Sequence, residues 1–145
     1  MSATTVIPVR TRRLVEAQAR AVVDYALARR ATLAAVAAGR TALTEVCDAQ
    51  TYLVRAARYH GEPAGEACPV CSRDLVHVCY TYGDCFRPDA NGRARTTHEL
   101  IGLADELPEF TVFRVEVCAD CRWNHLIASY VLGNGAPVKR RRARS

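Results

Sequence analysis

Two pairs of cysteines with the same short spacing are the residues of this sequence best suited to a chemical role. Cys68 and Cys71 form one CxxC pair, Cys118 and Cys121 form the other, and 46 residues lie between the pairs. A tight turn can place both thiolates of one pair on a single metal ion, and a second such turn completes a tetrahedral shell. The four cysteines therefore predict one structural Zn²⁺ ion, because four thiolates leave no open position for a catalytic water.

The remaining thiols and one histidine leave other chemistries open. Cys47, Cys79 and Cys85 have no partner at ligand spacing, and one of them could serve as a reactive thiol of a redox sensor. A redox function of a CxxC pair is a further alternative. His125 follows Cys121 by four residues and could replace a thiolate or support one. The total of seven cysteines is odd, which argues against a closed disulfide framework.

Basic side chains form three groups along the chain. The formal net charge of +5 and the pI of about 9.0 favour a polyanionic partner such as RNA or DNA. Because arginine codons are GC-rich, a bias in genome composition is the alternative explanation for their number. The predicted nucleic-acid contacts are Arg10, Arg12, Arg13, Arg93, Arg95, Lys139, Arg140, Arg141, Arg142 and Arg144.

The first half of the chain has the apolar spacing of helices. Apolar residues recur at helical intervals over residues 12–38, which predicts one long helix, with two consecutive helices as the alternative. Gly39 is typical of the position after a helix. Asp48 is a candidate N-cap for another helix that ends at Gly61, and residues 61–67 are expected to form a linker.

The second half has the alternation of β-strands. Residues 75–82, 110–117 and 123–132 are rich in β-branched and aromatic residues and predict three strands. Between the first two, Thr96 and Glu99 form a capping box that predicts a short helix. Each cysteine pair therefore adjoins a strand.

Together these elements predict an α+β protein. An N-terminal helical segment (residues 1–62) precedes a three-stranded zinc-ribbon-like half with one inserted helix (63–133) and a basic, disordered tail (134–145). The sequence lacks an apolar run of membrane-spanning length and an apolar signal-peptide core, and its thiols suit a reducing compartment. We therefore expect a cytoplasmic protein without membrane association.

Several short segments form a pattern that extends along the chain. They are IPVRTRR at 7–13, VCDA at 46–49, CPVC at 68–71, GRAR at 92–95, VEVC at 115–118, WNHL at 123–126 and SYVLG at 129–133. In these segments the chain resembles a family of small actinobacterial proteins of unknown function. The resemblance implies a cytoplasmic setting and a helical half joined to a zinc-ribbon half, and it implies no mechanism.

The function expected from these features is binding rather than catalysis. The sequence has no GxSxG, no HExxH and no phosphate-binding glycine loop. We expect a non-catalytic zinc module that associates with RNA, DNA, or a ribosome or RNA polymerase component. The alternatives are a protein–protein adaptor without nucleic-acid contact and a thiol redox sensor. The sequence does not determine the oligomeric state.

Overall fold

The protein is organised around an antiparallel sheet with helices on both faces. The structure, a computed structural model, describes the backbone of residues 9–136 and the side chains of residues 13–136. The elements of this part of the chain are α1 (Val9–Gln18), β1 (Arg20–Asp24), α2 (Ala26–Ala37), α3 (Leu43–Val46), α4 (Thr51–His60), β2 (Glu62–Ala67), β3 (Asp74–Tyr82), β4 (Arg93–Arg95), α5 (Thr97–Glu106), β5 (Phe110–Val117) and β6 (Asn124–Leu132).

The centre of the sheet is formed by β3, β5 and β6. The described strands run in the order β1-β6-β5-β3-β2, and β4 pairs with β3. Successive side chains of a strand point to opposite faces. Val78 on one face and Val112 on the other are both fully buried, so the central strands contribute to two cores.

The first core lies between the sheet and helices α1 and α5. Val15 of α1 and Leu100 of α5 pack with Phe110, Val112 and Leu132 of the sheet. Burying an aliphatic side chain of this size contributes about 1.5–3 kcal/mol. This contact fixes α1 against α5 on one face of the sheet.

The second core lies under α4 on the opposite face. Leu53, Val54 and Ala57 follow a helical spacing and are the buried residues of α4. They pack against Val78 and Val117 of the sheet. The opposite side of α4 consequently faces solvent.

Helix α2 contacts the rest of the protein through an ion pair and through Leu33, which packs against the apolar cluster beside the cysteines. In α2, all of whose residues are described, no side chain is fully buried. Arg29 donates to both carboxylate oxygens of Glu116 on β5, with an Nη2–Oε2 distance of 3.2 Å and a closer contact from Nε. The hydrogen bond to Glu116 raises the pKa of Arg29. Glu116 itself is only 2% exposed.

The single helix predicted over residues 12–38 is wrong. The chain leaves α1 after Gln18, forms β1, and re-enters a helix at Ala26. β1 pairs with β6 through Val23 and Ser129 among others. Ala21 has a positive φ of 49° at an irregularity in this pairing, and a β-branched pair follows it, which favours a strand.

Two smaller predictions in the first half are also wrong. Residues 62–67, expected to be linker, form β2 at the sheet edge, where Glu62 pairs with His77. Asp48 is not an N-cap, because α4 begins after Gln50. The predicted stops are confirmed: α4 ends before Gly61, and Gly39 follows α2 with a positive φ.

The three strands and the inserted helix predicted in the second half are present, but the prediction of a three-stranded half is wrong, because β2 and β4 also pair with β3 in the same sheet. β3, β5 and β6 match the predicted segments to within a residue. At the start of α5, Glu99 N donates to the Thr96 hydroxyl at 3.2 Å, and Thr96 N donates to the Glu99 carboxylate at 3.1 Å. The protein is therefore of mixed α and β type, as expected, while the division at residue 62 stays a prediction.

Within the described part of the chain, none of the helices combines the length and the hydropathy that a membrane span requires.

Candidate metal centre

The first cysteine pair occupies the turn between β2 and β3. Cys68 N donates to the Arg73 carbonyl at 2.8 Å, and Ser72 N donates to the Cys68 carbonyl at 2.9 Å. Ser72 has a positive φ of 66°, which lets the chain turn back. Val70 N points at the Cys68 sulfur at 3.4 Å. The turn therefore supplies a backbone amide donor to each of its two sulfurs, Val70 N to Cys68 and Arg73 N to Cys71.

The second cysteine pair occupies the turn between β5 and β6 with the same backbone geometry. Cys118 N donates to the Trp123 carbonyl at 2.9 Å, and Arg122 N donates to the Cys118 carbonyl at 2.9 Å. Arg122 has a φ of 70° at the position equivalent to Ser72. The two segments thus form the same turn, and the feature that their sequences share is the CxxC motif.

The sheet register brings the two turns together. Val76 of β3 pairs with Val117 of β5, so both turns project from the same end of the sheet. The Sγ atoms of Cys68 and Cys121 are 3.6 Å apart, those of Cys71 and Cys118 are 3.5 Å apart, and all four lie within 4.8 Å of one another.

These distances fit a bound metal ion. Four sulfurs at about 2.3 Å from a central Zn²⁺ would be about 3.8 Å apart in an ideal tetrahedron. Among the described residues, no other group of three or more histidine, cysteine, aspartate or glutamate side chains comes together in this way. The four cysteines could therefore hold a metal ion.

The environment of the sulfurs controls their protonation. Burial raises the pKa of the Cys68, Cys118 and Cys121 thiols, that of Cys121 to about 12. The Arg73 amide, which donates to the Cys71 sulfur, lowers the pKa of that thiol. A metal ligand must be a thiolate, so metal binding here displaces protons from the buried sulfurs.

The apolar surroundings close the site from one side. Leu75 and Trp123 are buried and pack against Cys68 and Cys118, and Cys47 packs against the same cluster. Of the four cysteines, Cys68 and Cys118 are buried, and Cys71 and Cys121 are half-buried.

His125 lies beside the site without contributing to the cluster. Its ring stacks on that of Trp123 at a centroid distance of 5.9 Å. Nδ1 is 2.6 Å from the Leu126 carbonyl, and Nε2 is 3.4 Å from the Thr32 hydroxyl on α2. Both ring nitrogens therefore have neighbours other than the cysteine sulfurs.

A short segment before α4 fixes the second turn, a contact that sequence reasoning missed. Ala49 N donates to the Arg122 carbonyl at 3.1 Å, and the Arg122 guanidinium donates to the Ala49 carbonyl at 3.1 Å. Asn124 donates to the Asp48 carboxylate at 3.0 Å. Nothing in the local pattern of residues 48–49 signals this partner, because the contact depends on tertiary packing.

The other cysteines are not part of the cluster. Cys79 is buried on β3 beside Arg114 and Tyr130, and its burial raises the pKa of the thiol. Cys85 donates to the Glu109 carbonyl at 3.3 Å, and burial likewise raises its pKa. Elevated pKa values reduce thiolate content and hence nucleophilicity at neutral pH.

Among the predicted basic contacts, the structure describes the side chains of Arg13, Arg93 and Arg95. Arg13 on α1 and Arg93 on β4 are exposed. Arg95 is half-buried, lies over the Phe86 ring at 5.8 Å and is 3.9 Å from the Glu99 carboxylate. The side chains of Arg10 and Arg12, and all of Lys139, Arg140, Arg141, Arg142 and Arg144, lie outside the described residues.

A further basic group, apart from the three predicted ones, was missed by sequence reasoning. Arg55 and Arg58 of α4 and Arg122 of the second cysteine turn line one cavity of about 240 Å³. The spacing of Arg55 and Arg58 places them on neighbouring positions of a helix surface. The spacing of Arg55 and Arg58 was therefore visible in the sequence. The position of Arg122 beside them depends on the fold and was not.

Comparison with known proteins identifies relatives without a known activity. The sequence profile of a family described as "Family of unknown function (DUF5318)" matches residues 16–145. Uncharacterized proteins of Mycobacterium bovis and of two strains of Mycobacterium tuberculosis are each 49% identical over 117 residues, covering 80% of the chain and 85% of each relative. No solved structure gives a significant match. The resemblance to an actinobacterial family of unknown function is confirmed.

Proposed function

The chain belongs to the DUF5318 family, and we propose that it is a non-catalytic cytoplasmic binding module, held together by one structural zinc ion and associated with nucleic acid. The observation that carries this proposal is the meeting of four cysteine sulfurs within 4.8 Å on two turns of equal geometry. Two such turns beside paired strands resemble the knuckles of a zinc ribbon. Modules of this kind commonly act by presenting a surface rather than by catalysis.

Zinc is the ion that best suits this donor set. Four thiolates in a tetrahedral arrangement are soft ligands, which favour zinc or an iron–sulfur centre over calcium or magnesium. Cys68, Cys71, Cys118 and Cys121 would hold the ion, and the ion would supply stability to the joined ends of β2, β3, β5 and β6. Structural zinc of this kind contributes directly to the free energy of folding.

Nucleic acid is the partner class supported by charge. The chain carries a formal net charge of +5, and of its 20 cationic residues only Lys139 is not an arginine. Arginine suits phosphate because its planar guanidinium forms paired hydrogen bonds with phosphate oxygens. Association with a ribosome or RNA polymerase component would use the same charge.

The zinc assignment is tested by metal analysis of purified variants. We expect about one zinc per wild-type chain, and loss of zinc together with a lower melting temperature in Cys71→Ser and Cys118→Ser. Cys85→Ser is the matched control, because Cys85 is half-buried but outside the cluster, and it should retain zinc. Full zinc content in both cluster variants would contradict the assignment.

The partner assignment is tested by a pull-down of the tagged full chain from a host lysate. Co-purifying nucleic acid, ribosomal or polymerase subunits that nuclease or moderate salt removes would support it, because phosphate contacts weaken steeply with salt. A protein partner that persists through nuclease and salt would contradict it.

A protein–protein adaptor is the second candidate, favoured by one exposed apolar region. Val22 and Val23 on the edge strand β1 are 60% and 46% exposed, and Leu27 on α2 is 76% exposed. An edge strand offers unpaired backbone groups to another chain. A partner that is insensitive to salt, and is lost on Val22→Lys but not on Arg55→Gln, would favour this candidate.

A thiol redox sensor is the third candidate. Its residues would be Cys47, Cys79 or Cys85. The raised pKa values of Cys79 and Cys85 work against it. Rapid alkylation of one of these thiols in the zinc-loaded protein would support it.

A further inference from the structure

The solvent-facing side of α4 borders three adjoining cavities. Their volumes are about 490, 320 and 240 Å³. The first two share Tyr52, Tyr80 and Gly92, and the last two share Arg55 and Tyr59. Shared lining residues make the three cavities one continuous surface, which we name the α4 groove.

Aromatic rings line one part of the α4 groove. Tyr52 and Tyr59 of α4 are 64% and 78% exposed, and Tyr82 of β3 is 45% exposed. Tyr82 packs edge-on against Phe113 with a centroid distance of 5.5 Å, which fixes its orientation. Exposed rings of this size are costly to leave in water and are typical of binding surfaces.

Tyr80 adds a polar group at the floor of the α4 groove. Its ring lines the two larger cavities. Its hydroxyl is buried and has no hydrogen-bond partner among the described residues. A buried hydroxyl without a partner is unfavourable, and because it is buried, a ligand can reach it only if the side chains around it move.

Positive charge lines the remainder of the α4 groove. Arg55, Arg58 and Arg122 line the smallest cavity, and His60 joins Arg55 at the middle one. None of the described residues that line the three cavities carries a carboxylate. Asp48 accepts a hydrogen bond from the lining residue Asn124. The charge of the groove is therefore complementary to an anion.

The arrangement along α4 interleaves rings and charge. Tyr52, Arg55 and Tyr59 occupy positions i, i+3 and i+7, so they lie on one stripe of the helix. The rise of an α-helix places the two tyrosines about 10 Å apart along the axis. A ligand that follows this stripe meets a ring, a cation and a second ring in turn.

We propose that the α4 groove binds single-stranded nucleic acid, with unstacked bases against Tyr52, Tyr59, Tyr80 or Tyr82 and phosphates at Arg55, Arg58 and Arg122. This assignment rests on the proposed association with nucleic acid, and it places the contact at the α4 groove rather than at Arg93 and Arg95. Single strands expose base faces that stack on aromatic side chains, whereas a duplex keeps its bases stacked inside. An acidic peptide would match the arginines but would offer no flat rings to the tyrosines.

The test measures binding of fluorescent oligouridine and oligothymidine of about 12 nucleotides to the full, zinc-loaded chain by anisotropy. We expect Tyr52→Ala/Tyr59→Ala to weaken binding at least about fivefold, since each stacked base contributes about a factor of five or more. Both tyrosines are largely exposed, so the variant should fold. Leu27→Ala/Val22→Ala, which truncates exposed apolar residues elsewhere, is the matched control and should bind as the wild type does.

A second variant tests the charged part of the α4 groove. Arg55→Gln/Arg58→Gln should lower the slope of log affinity against log salt by about 1.4, because each phosphate contact with a single strand contributes about 0.7. Arg30→Gln/Arg40→Gln removes the same charge from exposed positions outside the groove and should leave the groove's contribution to that slope unchanged.

The outcomes separate this assignment from the function on which it rests. If the wild-type chain binds neither oligonucleotide at low salt, the proposed association with nucleic acid fails and the groove assignment fails with it. If the wild type binds but the groove variants match their controls, the groove assignment alone is overturned. Equal competition by polyglutamate would also overturn it, because that polymer has charge without rings.

Discussion

The ion pair between Arg29 and Glu116 gives a prediction about how α2 is held on the sheet. Replacing Arg29 by methionine leaves the Glu116 carboxylate, 2% exposed, without its guanidinium partner. Removing one member of a buried pair typically costs about 3–5 kcal/mol. Because the Arg29 side chain is 25% exposed and His77 and His125 are the cross-strand neighbours of Glu116, we expect a smaller loss, about 2–3 kcal/mol.

The assay is thermal unfolding in a fixed excess of Zn²⁺, followed by circular dichroism. For a chain of this size, 1 kcal/mol corresponds to about 3 °C, so Arg29→Met should lower the melting temperature by roughly 6–9 °C. Zinc must be held constant, since a bound ion raises the melting temperature by mass action. Amide exchange should also become faster in α2 than in β5, because α2 has no buried side chain of its own.

Two further variants make the reasoning refutable. Arg30→Met removes the same charge from the next, exposed residue and should shift the melting temperature by less than about 2 °C. Arg29→Met/Glu116→Met replaces the pair by apolar side chains and should recover much of the lost stability. The reasoning is refuted if Arg29→Met is as stable as Arg30→Met, or if the double variant is no more stable than Arg29→Met.

Three other predictions concern single positions. Thr96→Ala removes the cap of α5 and should cost about 1 kcal/mol, a fall of about 3 °C in melting temperature; an unchanged value would contradict the cap. Gly133→Ala should be strongly destabilising, because φ at this position is +139° and a Cβ would lie 2.2 Å from a carbonyl oxygen. Gly102→Ala, on the open surface of a helix, should instead stabilise the protein by up to about 1 kcal/mol. Urea unfolding of the two variants compares these effects. Burial raises the pKa of Tyr80 to about 12, so folding favours the neutral phenol, and the free energy of unfolding should fall as pH rises from about 10 towards 12. The check is a spectrophotometric titration of the wild type and of Tyr80→Phe. If the phenol that is missing in Tyr80→Phe is one that titrates early in the wild type, the prediction is contradicted.

The elements that sequence predicted correctly are those whose pattern and packing agree. In β3 and β5 the apolar alternation continues for eight or nine residues, and both faces of these strands are buried by helices. Thr96 and Glu99 form their capping box within four residues, so no distant contact is needed to specify it. The cysteine pairs were identifiable because ligand chemistry fixes their spacing.

The elements that sequence missed depend on distant partners. β2 contains proline, glycine and two glutamates, which disfavour a strand, and its pairing with β3 overrides that preference at the sheet edge. β1 is only five residues long and has no buried residue, and it pairs with β6 at the opposite edge of the sheet. Its flanking alanines and arginines continue the helical spacing on both sides, so the local pattern favoured a helix.

The same distinction between local patterns and distant contacts applies to the candidate site. The four cysteines were predictable as a set, but the backbone ties from Ala49 to Arg122 were not, since 73 residues separate the two. The α4 groove was likewise hidden, because it combines side chains from α4, β3, β5 and the second cysteine turn. Arg93 and Arg95, which lie on β4, were predicted as contacts from their charge alone, and charge does not indicate which face of a sheet a residue occupies.

The pairing of β1 with β6 has a consequence for how the chain is made. Asp24 pairs with Ala128, roughly a hundred residues further along the chain, and synthesis proceeds at about 5–20 residues per second. The first strand to leave the ribosome therefore waits about 5–20 s for its neighbour. During that interval Val22 and Val23 are carried on an unpaired strand, so nascent chains that stop before β6 should be the ones that require chaperones or aggregate.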